Sequence, residues 1–274
     1  MKFDGVGDFF ADNGVKKNRE EAEKLFNQID AYPFFETIRV VRGVPLFKDE
    51  HFNRLIESLE FLRYHSVPTV EELSVNLFIA ARELELDDIN IKLMIVDDDY
   101  ENRHIFAYTV QSRFPTEKAY KEGVPCSLYV YDRRSNSKIY SDLDFEEIGR
   151  NTLKLGAFES LLMNSDAKIR EGGRSNFFAI LDGKILTAPE DEIIPTVNRK
   201  MVLEIINDLK LPILETPITV REMYNLSGAF IIGSTIGVLP LSRIEAISLE
   251  SANNPMVKSI LEEYNKRIDN IINI

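Results

Sequence analysis

The chain has 274 residues, of which 44% are hydrophobic and 28% charged, and its formal net charge is −12. This length predicts two domains or one large one, and the composition is typical of a globular protein with a sizeable core. The acidic charge argues against nucleic-acid binding, because that affinity depends on Lys and Arg side chains that neutralise phosphates. We therefore expect the partner of this protein to be a small molecule.

The N-terminal segment and the few cysteine and histidine residues exclude further classes. The first ten residues include Asp4 and Asp8 and lack a basic start followed by an apolar run, so they do not predict a secretory signal. No segment approaches the ~20 apolar residues of a membrane span. The single cysteine, Cys126, has no partner for an internal disulfide, and the three histidines lack metal-ligand spacing. These features predict a cytoplasmic protein with no bound metal and no membrane partner.

Strands and helices alternate in the first half of the chain. The predicted elements are, in order, a strand at 34–41, a turn at Gly43, a helix capped by Asp49, a helix opened by the capping box of Thr69 and Glu72, and two antiparallel strands at 89–96 and 104–111 joined by the polar turn 97–103. The strand at 89–96 has an alternating pattern, which predicts one buried and one exposed face.

A polar segment separates the two halves. Residues 112–123 (SRFPTEKAYKEG) are interrupted by Pro115, which is typical of an interdomain linker. We place the boundary there, between a small N-terminal α/β domain, 1–115, and a larger C-terminal domain, 116–274. The elements predicted beyond it are a strand at 126–131, a helix at 141–155, strands at 159–163 and 176–181, a hairpin through Asp182-Gly183 into 184–187, a helix at 196–209, a strand at 229–232 and a final helix that starts at Pro255 with Asn254 as its cap. The fold class is therefore mixed α/β.

Three segments of the second half have residues suited to binding a small molecule, and two of the three suit an anion. Residues 171–176 (EGGRSN) place a glutamate and a glycine pair before an apolar strand, where a backbone can approach a ligand closely. Residues 195–199 (PTVNR) lie at a predicted helix start, whose N–H groups and dipole attract anions. Residues 233–235 (GST) offer hydroxyl and N–H donors to a phosphate. Taken alone, these segments are more often a solvated loop, an ordinary helix start and a plain turn, respectively.

The order of these segments resembles the class IV aminotransferases, the fold-type-IV family of pyridoxal-phosphate enzymes, over about residues 34–245. In that family a segment like FETIR is followed by EHxxRL, and here residues 35–39 (FETIR) are followed by 50–55 (EHFNRL). The later segments that follow the family's order are 159–162 (ESLL), 171–176, 195–199, and Ser234-Thr235 before Val238 and Pro240. The resemblance implies a two-domain structure whose larger, cofactor-binding domain has a barrel-like sheet.

The resemblance also implies a lysine that binds pyridoxal 5′-phosphate covalently. Relatives place it a little over thirty residues before the motif glutamate, with a helix between them. This spacing favours Lys138, since 171 − 138 = 33, over Lys154, since 171 − 154 = 17. Lys138 would form an aldimine with the cofactor and then act as the base, while Glu171 would keep the pyridine nitrogen protonated. Without the resemblance, Lys138 reads as an ordinary surface lysine.

Further roles follow from the same resemblance. The residues implied in binding the cofactor phosphate are Arg54, Val197, Asn198, Ser234 and Thr235, and those implied in binding the substrate are Phe35, Arg103 and His104. The chain has Val197-Asn198 where the family usually has Ile-Thr, Ser141 where an asparagine often follows the lysine, and 97–100 (DDDY) where many relatives have a TRG segment.

The resemblance implies an aminotransferase that moves an amino group between an amino acid, with branched-chain amino acids among the candidates, and a 2-oxo acid. A lyase resembling aminodeoxychorismate lyase, which releases pyruvate, has the same fold and cofactor and is the first alternative. A non-catalytic α/β binding protein is the alternative from another class. The family further implies a homodimer.

Overall fold

The computed structural model describes residues 1–82, 88–97, 102–132 and 142–273, without the side chains of 142–145. Lys138, Ser141 and most of the turn 97–103 lie outside these residues. The chain forms two compact units, one made of Met1–Arg113 with the chain end from Ile268, the other of Phe114–Arg267. Within the described part of the chain, no helix combines the length and apolar character needed to cross a membrane.

The first unit contains a six-stranded sheet covered by helices. Its elements are β1 (Phe9–Asp12), β2 (Val15–Asn18), α1 (Arg19–Gln28), β3 (Phe34–Val41), β4 (Val44–Pro45), α2 (Lys48–Phe61), α3 (Val70–Ala81), β5 (Asp88–Asp97) and β6 (Arg103–Val110). The strand order is β2-β1-β6-β5-β3-β4, and β5 is antiparallel to both β3 and β6. The strand predicted at 34–41 and the antiparallel pair that follows the two helices are confirmed.

The two helices α2 and α3 start in different ways. The capping box of α3 is confirmed, because the Thr69 hydroxyl accepts the Glu72 N–H and the Glu72 carboxylate accepts the Thr69 N–H. The prediction that Asp49 caps α2 is wrong. Phe47 is the N-cap, in a left-handed conformation with φ of 51° and no side-chain hydrogen bond, and Asp49 lies in the first turn. Acidic residues are favourable in the first turn as well as at the cap, so the sequence pattern does not separate the two positions.

Strand β5 is buried on both faces, so the predicted alternation is also wrong. Ile91, Leu93 and Ile95 pack into a cluster with residues of α2 and α3. Met94 and Val96 belong to a second cluster that contains Phe26 of α1. Because both faces of the sheet are covered, the strand needs apolar residues at nearly every position.

The second unit contains the larger sheet. Its elements are α4 (Glu117–Glu122), β7 (Val124–Val130), α5 (Asp142–Lys154), β8 (Glu159–Met163), β9 (Lys168–Gly172), β10 (Asn176–Leu181), β11 (Lys184–Thr187), α6 (Val197–Asp208), β12 (Ile213–Glu215), β13 (Ile218–Thr219), β14 (Gly228–Gly233), β15 (Gly237–Ile244), β16 (Ile247–Ser248) and the start of α7 (Pro255–Ile272). Six strands follow the order β10-β14-β15-β7-β8-β9, and β9 pairs with β10 again. This closed ring confirms the predicted barrel-like sheet.

Two segments of the second unit differ from their predicted structure. The supposed linker 112–123 contains the helix α4, whose Ala119 N–H donates to the Thr116 hydroxyl. A polar composition is typical of an exposed helix as well as of a linker, which is why the helix was not predicted. The segment 171–176 is not all loop, because Glu171 and Gly172 end strand β9. The strand is short and begins with charged residues, so its pattern alone does not indicate it.

Candidate active site

Glu171 and Asn176 are cross-strand partners at the point where the barrel closes. The chain between them makes a tight turn in which the Gly172 N–H donates to the Ser175 carbonyl over 2.7 Å. A Cβ atom on Gly172 would overlap the Ser175 hydroxyl, and one on Gly173 would lie 2.9 Å from a methyl group of the α5 residue Ile148. The glycine pair therefore permits close packing within the protein.

Glu159, at the start of β8, accepts hydrogen bonds from this turn. One of its carboxylate oxygens accepts from the Arg174 N–H and the Ser175 hydroxyl, each over 3.3 Å, and the other accepts from the Ser160 N–H over 3.0 Å. Burial raises the pKa of Glu159, and these hydrogen bonds only partly oppose that effect. Sequence reasoning noted Glu159 as part of a motif but assigned it no role.

Glu171 is a buried carboxylate, only 5% exposed. Its Oε2 atom accepts a hydrogen bond from the Ile194 N–H over 2.9 Å. The Ile194 side chain packs against a small apolar cluster that includes Ile148 and Leu162, so the donor is held in place. A carboxylate removed from water in this way can pair strongly with a cationic group of a ligand.

Asn176 connects Glu171 to the start of helix α6. Its amide nitrogen donates to the Ile194 carbonyl over 3.0 Å, and its amide oxygen accepts from the Thr196 hydroxyl over 2.7 Å. Thr196 is the N-cap of α6, where its hydroxyl oxygen accepts the Arg199 N–H over 3.1 Å. Glu171, Asn176 and the helix start thus belong to one hydrogen-bonded network.

The start of α6 provides donors for an anion. The N–H groups of Val197 and Asn198 have no acceptor inside the helix, because the first turn of any helix lacks the preceding carbonyls. The helix dipole adds partial positive charge at the same end. The Asn198 side chain donates to the Ser234 hydroxyl over 3.0 Å, which brings the loop 233–235 beside the helix start. Thr235 follows Ser234 in this loop and, like it, is partly exposed.

These residues fit pyridoxal 5′-phosphate. N–H and hydroxyl donors gathered at the start of α6 and at the loop 233–235 suit a phosphate ester that carries nearly two negative charges. The carboxylate of Glu171, at the other end of the network, suits a protonated ring nitrogen. In the described part of the chain no three His, Cys, Asp or Glu side chains are grouped so that they could hold a metal ion.

Four further candidates, Arg54, Phe35, Arg103 and His104, lie in the first unit. Arg54 donates to Glu36, a buried carboxylate whose other oxygen lies 2.8 Å from Nδ1 of His51. Phe35 is 47% exposed and lies next to Glu36 on the opposite face of β3. The Lys92 ammonium lies 4.8 Å from the centre of the Phe35 ring. Arg54 is thus held by an ion pair, and its role toward a cofactor stays a prediction.

Arg103 and His104 point to opposite faces of β6, because side chains alternate along a strand. Arg103 donates to the Glu72 carboxylate. His104 lies 2.9 Å from the Asp12 carboxylate. Burial works to raise the pKa of Asp12, but hydrogen bonds from His104 and Lys17 outweigh it and lower that pKa. The structure does not bring Arg103 and His104 together on one face, and their substrate roles stay predictions.

Sequence reasoning missed three contributors to this site. Thr196 carried a readable signal, since threonine before an apolar helix is a preferred N-cap. Tyr264 lies in the predicted final helix and was given no role there, yet its hydroxyl donates to Asn198 over 2.5 Å. The Ile194 N–H contacts Glu171 across 23 residues of sequence, and no local pattern indicates such a contact.

The fold is that of known aminotransferases. The solved branched-chain amino acid aminotransferase from Thermobaculum terrenum, titled as its PLP-form, superposes with a TM-score of 0.77 and 16% identity over 97% of this chain and 95% of that chain. Other solved branched-chain aminotransferases give TM-scores from 0.76 to 0.80. At these identities the likeness shows the fold alone.

Sequence comparisons assign the chain to a family. A probable branched-chain-amino-acid aminotransferase of Thermotoga maritima is 22% identical over 86% of both chains. A D-alanine aminotransferase of Bacillus licheniformis is 26% identical over 82% of this chain and 84% of its own. The sequence profile described as amino-transferase class IV matches residues 33–244. The protein therefore belongs to the class IV aminotransferase family, which confirms the family inferred from the motif order.

Proposed function

We propose that this protein is a pyridoxal-phosphate-dependent aminotransferase that moves an amino group between a branched-chain amino acid and a 2-oxo acid. The observation that supports it is the network in which Glu171, Asn176 and Thr196 connect a buried carboxylate to a helix start rich in donors. The second unit, Phe114–Arg267, acts in this proposal as the cofactor-binding domain. The branched-chain preference is supported by the names of the relatives from Thermotoga maritima and Aquifex aeolicus and is opposed by the D-alanine aminotransferase of Bacillus licheniformis.

When bound, pyridoxal phosphate supplies an aldehyde that condenses with amines and a ring that accepts electrons. Lys138 would hold the cofactor through its side-chain amine and, when free, would move the proton of the substrate α-carbon. Glu171 would keep a proton on the ring nitrogen by charge pairing. The two residues thus act on the same proton transfer, one directly and one through the ring.

The cofactor phosphate would be held by donors of the second unit, which are the N–H groups of Val197 and Asn198 and the hydroxyls of Ser234 and Thr235. Arg54 is the proposed source of cationic charge. An acidic protein with a net charge of −12 needs local donors to hold a dianion. These contacts would keep the cofactor bound when it is not attached to Lys138.

The assignment of Lys138 is tested by spectroscopy. Lys138→Ala should abolish the visible absorbance of the lysine-bound cofactor near neutral pH, because the proposal assigns the covalent bond to this amine alone. Lys154→Ala is the matched control and should keep the absorbance of the wild type. A Lys138→Ala protein with an unchanged spectrum would overturn the assignment, and the same loss in Lys154→Ala would assign the cofactor to that lysine instead.

The reaction is tested with an amino-donor panel on the loaded enzyme. L-Leucine, L-valine and L-isoleucine should convert the cofactor to its amine form, and added 2-oxoglutarate should return it to the aldehyde form. Conversion by D-alanine but not by the L-amino acids would refute the branched-chain proposal. Release of pyruvate from an aminodeoxychorismate-type substrate without an acceptor would favour the lyase. No spectral response to pyridoxal phosphate would favour a non-catalytic protein.

The proposal includes homodimeric assembly, which is supported by the family resemblance. Light scattering coupled to gel filtration should give about twice the mass of one chain. A mass equal to that of one chain at micromolar concentration would refute it.

A further inference from the structure

Tyr264 of helix α7 makes a side-chain hydrogen bond to the start of helix α6. Its hydroxyl donates to Oδ1 of Asn198 over 2.5 Å, and both side chains are almost fully buried, at 2% and 1% exposure. The two residues are 66 positions apart in sequence but belong to the same compact unit. A buried carboxamide must satisfy both its oxygen and its nitrogen, so its two partners determine which way it points.

The other end of the Asn198 amide donates to Ser234. Nδ2 of Asn198 lies 3.0 Å from the Ser234 hydroxyl oxygen. Because that oxygen accepts from Asn198, the hydrogen of the Ser234 hydroxyl can be donated to a further acceptor. The three groups therefore form a chain of hydrogen bonds in which each group donates to the next, from Tyr264 to Asn198 to Ser234.

An anion determines the direction of such a chain. The tyrosine and serine hydroxyls can each donate or accept, so the chain could run either way when nothing else is bound. A phosphate oxygen can only accept, and it therefore requires Ser234 to donate. Ser234 can do so when Asn198 presents its NH2 group, and this orientation requires a donor at Oδ1 of Asn198. Tyr264 is that donor.

We propose that Tyr264 is a positioning residue of the phosphate-binding site, which orients the Asn198 carboxamide so that Ser234 donates its hydrogen to a phosphate monoester. This inference rests on the proposed function, because the phosphate concerned is that of pyridoxal phosphate. Tyr264 does not touch the ligand in this scheme. It acts through Asn198 and Ser234, and its effect is confined to ligands that carry the phosphate.

The test compares two ligands that differ only in that group. Full-length protein freed of cofactor is titrated calorimetrically with pyridoxal 5′-phosphate and, separately, with pyridoxal. Both aldehydes can condense with the same lysine, so the ratio of their dissociation constants isolates the phosphate. Tyr264→Phe keeps the ring, which packs against Gly237, and removes only the hydroxyl. The ratio should fall by about five- to thirtyfold, the effect of losing one buried hydrogen bond.

Tyr120→Phe is the matched control. Its hydroxyl donates to the Ile236 carbonyl over 2.8 Å, so this variant also removes a tyrosine hydrogen bond to the segment that follows Ser234. It leaves the chain from Tyr264 to Ser234 intact and should keep the wild-type ratio. An equal fall of the ratio in both variants would mean that loop anchoring in general controls phosphate binding, and would overturn the specific role of Tyr264.

A second pair of variants covers the case in which Tyr264→Phe does not fold because Asn198 loses its buried partner. Asn198→Ala and the double variant Asn198→Ala/Tyr264→Phe leave no orphaned amide. Both should show the same reduced ratio, because the chain is already interrupted at Asn198. A further fall of the ratio in the double variant would overturn the proposal.

The outcomes also separate this inference from the proposed function. If the wild-type protein does not prefer pyridoxal phosphate over pyridoxal, the proposed function fails, and this inference fails with it. If the wild type has that preference and Tyr264→Phe retains it in full, only this inference is overturned. Equal weakening of both ligands in Tyr264→Phe would assign Tyr264 a merely structural role and would also overturn it.

Discussion

Two substitutions at Glu171 separate the effect of its charge on activity from the effect of its hydrogen bond on stability. Glu171→Gln removes the charge but keeps an oxygen that can accept the Ile194 N–H, now 2.9 Å from the carboxylate. Glu171→Ala removes both. We therefore predict that the two variants lose activity equally but that Glu171→Ala is the less stable of the two.

The magnitudes follow from burial and hydrogen bonding. Replacing a charged acceptor by a neutral one costs about 1 kcal/mol, which lowers the melting temperature of a protein of this size by about 2–4 °C. Glu171→Ala leaves a buried N–H without acceptor and creates a small void, at about 3 kcal/mol and about 6–12 °C. A charge pair at hydrogen-bonding range in a partly buried site is worth about 4 kcal/mol, so both variants should lose up to about a thousandfold in turnover.

Melting is followed by circular dichroism on cofactor-free protein, so that ligand binding does not contribute to stability. Turnover is measured with L-leucine and 2-oxoglutarate at saturating pyridoxal phosphate. Near wild-type turnover in Glu171→Gln would refute the role of the charge. A melting temperature of Glu171→Gln as low as that of Glu171→Ala would refute the assignment of the hydrogen bond as the structural contribution.

Three further predictions concern the stability of the fold. Gly172→Ala should strongly lower the urea concentration at the midpoint of unfolding, because its Cβ overlaps the Ser175 hydroxyl. Adding Ser175→Ala to this variant should restore part of the lost stability. If it restores none, the assigned clash is contradicted. Thr69→Ala should cost about 1 kcal/mol of unfolding free energy while Thr69→Ser costs little, and equal losses would argue against the capping box. Burial raises the pKa of Glu159 above its ordinary 4.5, so the stability this carboxyl contributes is full below pH 4.5 and is lost as the pH rises through the raised value. Glu159→Gln should remove this carboxyl's share of the fall in melting temperature as the pH rises above about 4.5, and an unchanged fall would refute the assignment.

Patterns of a few adjacent residues made part of the fold predictable. The strand Phe34–Val41, the hairpin between β10 and β11 and the start of α7 were predicted from patterns of a few adjacent residues. At α7 the Asn254 side chain accepts the Met256 N–H, as its position before Pro255 indicates. Such features depend on neighbours in sequence, and a sequence displays those directly.

Elements without a distinct local pattern were missed. The strand Val15–Asn18 (VKKN) is exposed along most of its length, so it has no buried face to reveal it. The same limit applies to the site. The order of motifs indicated Glu171, Asn198 and Ser234, but the hydrogen bonds that orient them come from residues far along the chain. Those partners are determined by how strands and helices meet in space.

The closure of the barrel has a consequence for how this enzyme can change over evolution. Glu171 and Asn176 form the pair through which β9 meets β10, and both also belong to the hydrogen-bonded network at the start of α6. If the proposed function holds, most substitutions at either position would disturb the cofactor site and the packing of the two strands together, and only near-isosteric ones such as Glu171→Gln would separate the two effects. We therefore expect shifts in substrate preference to arise at positions outside this strand pair.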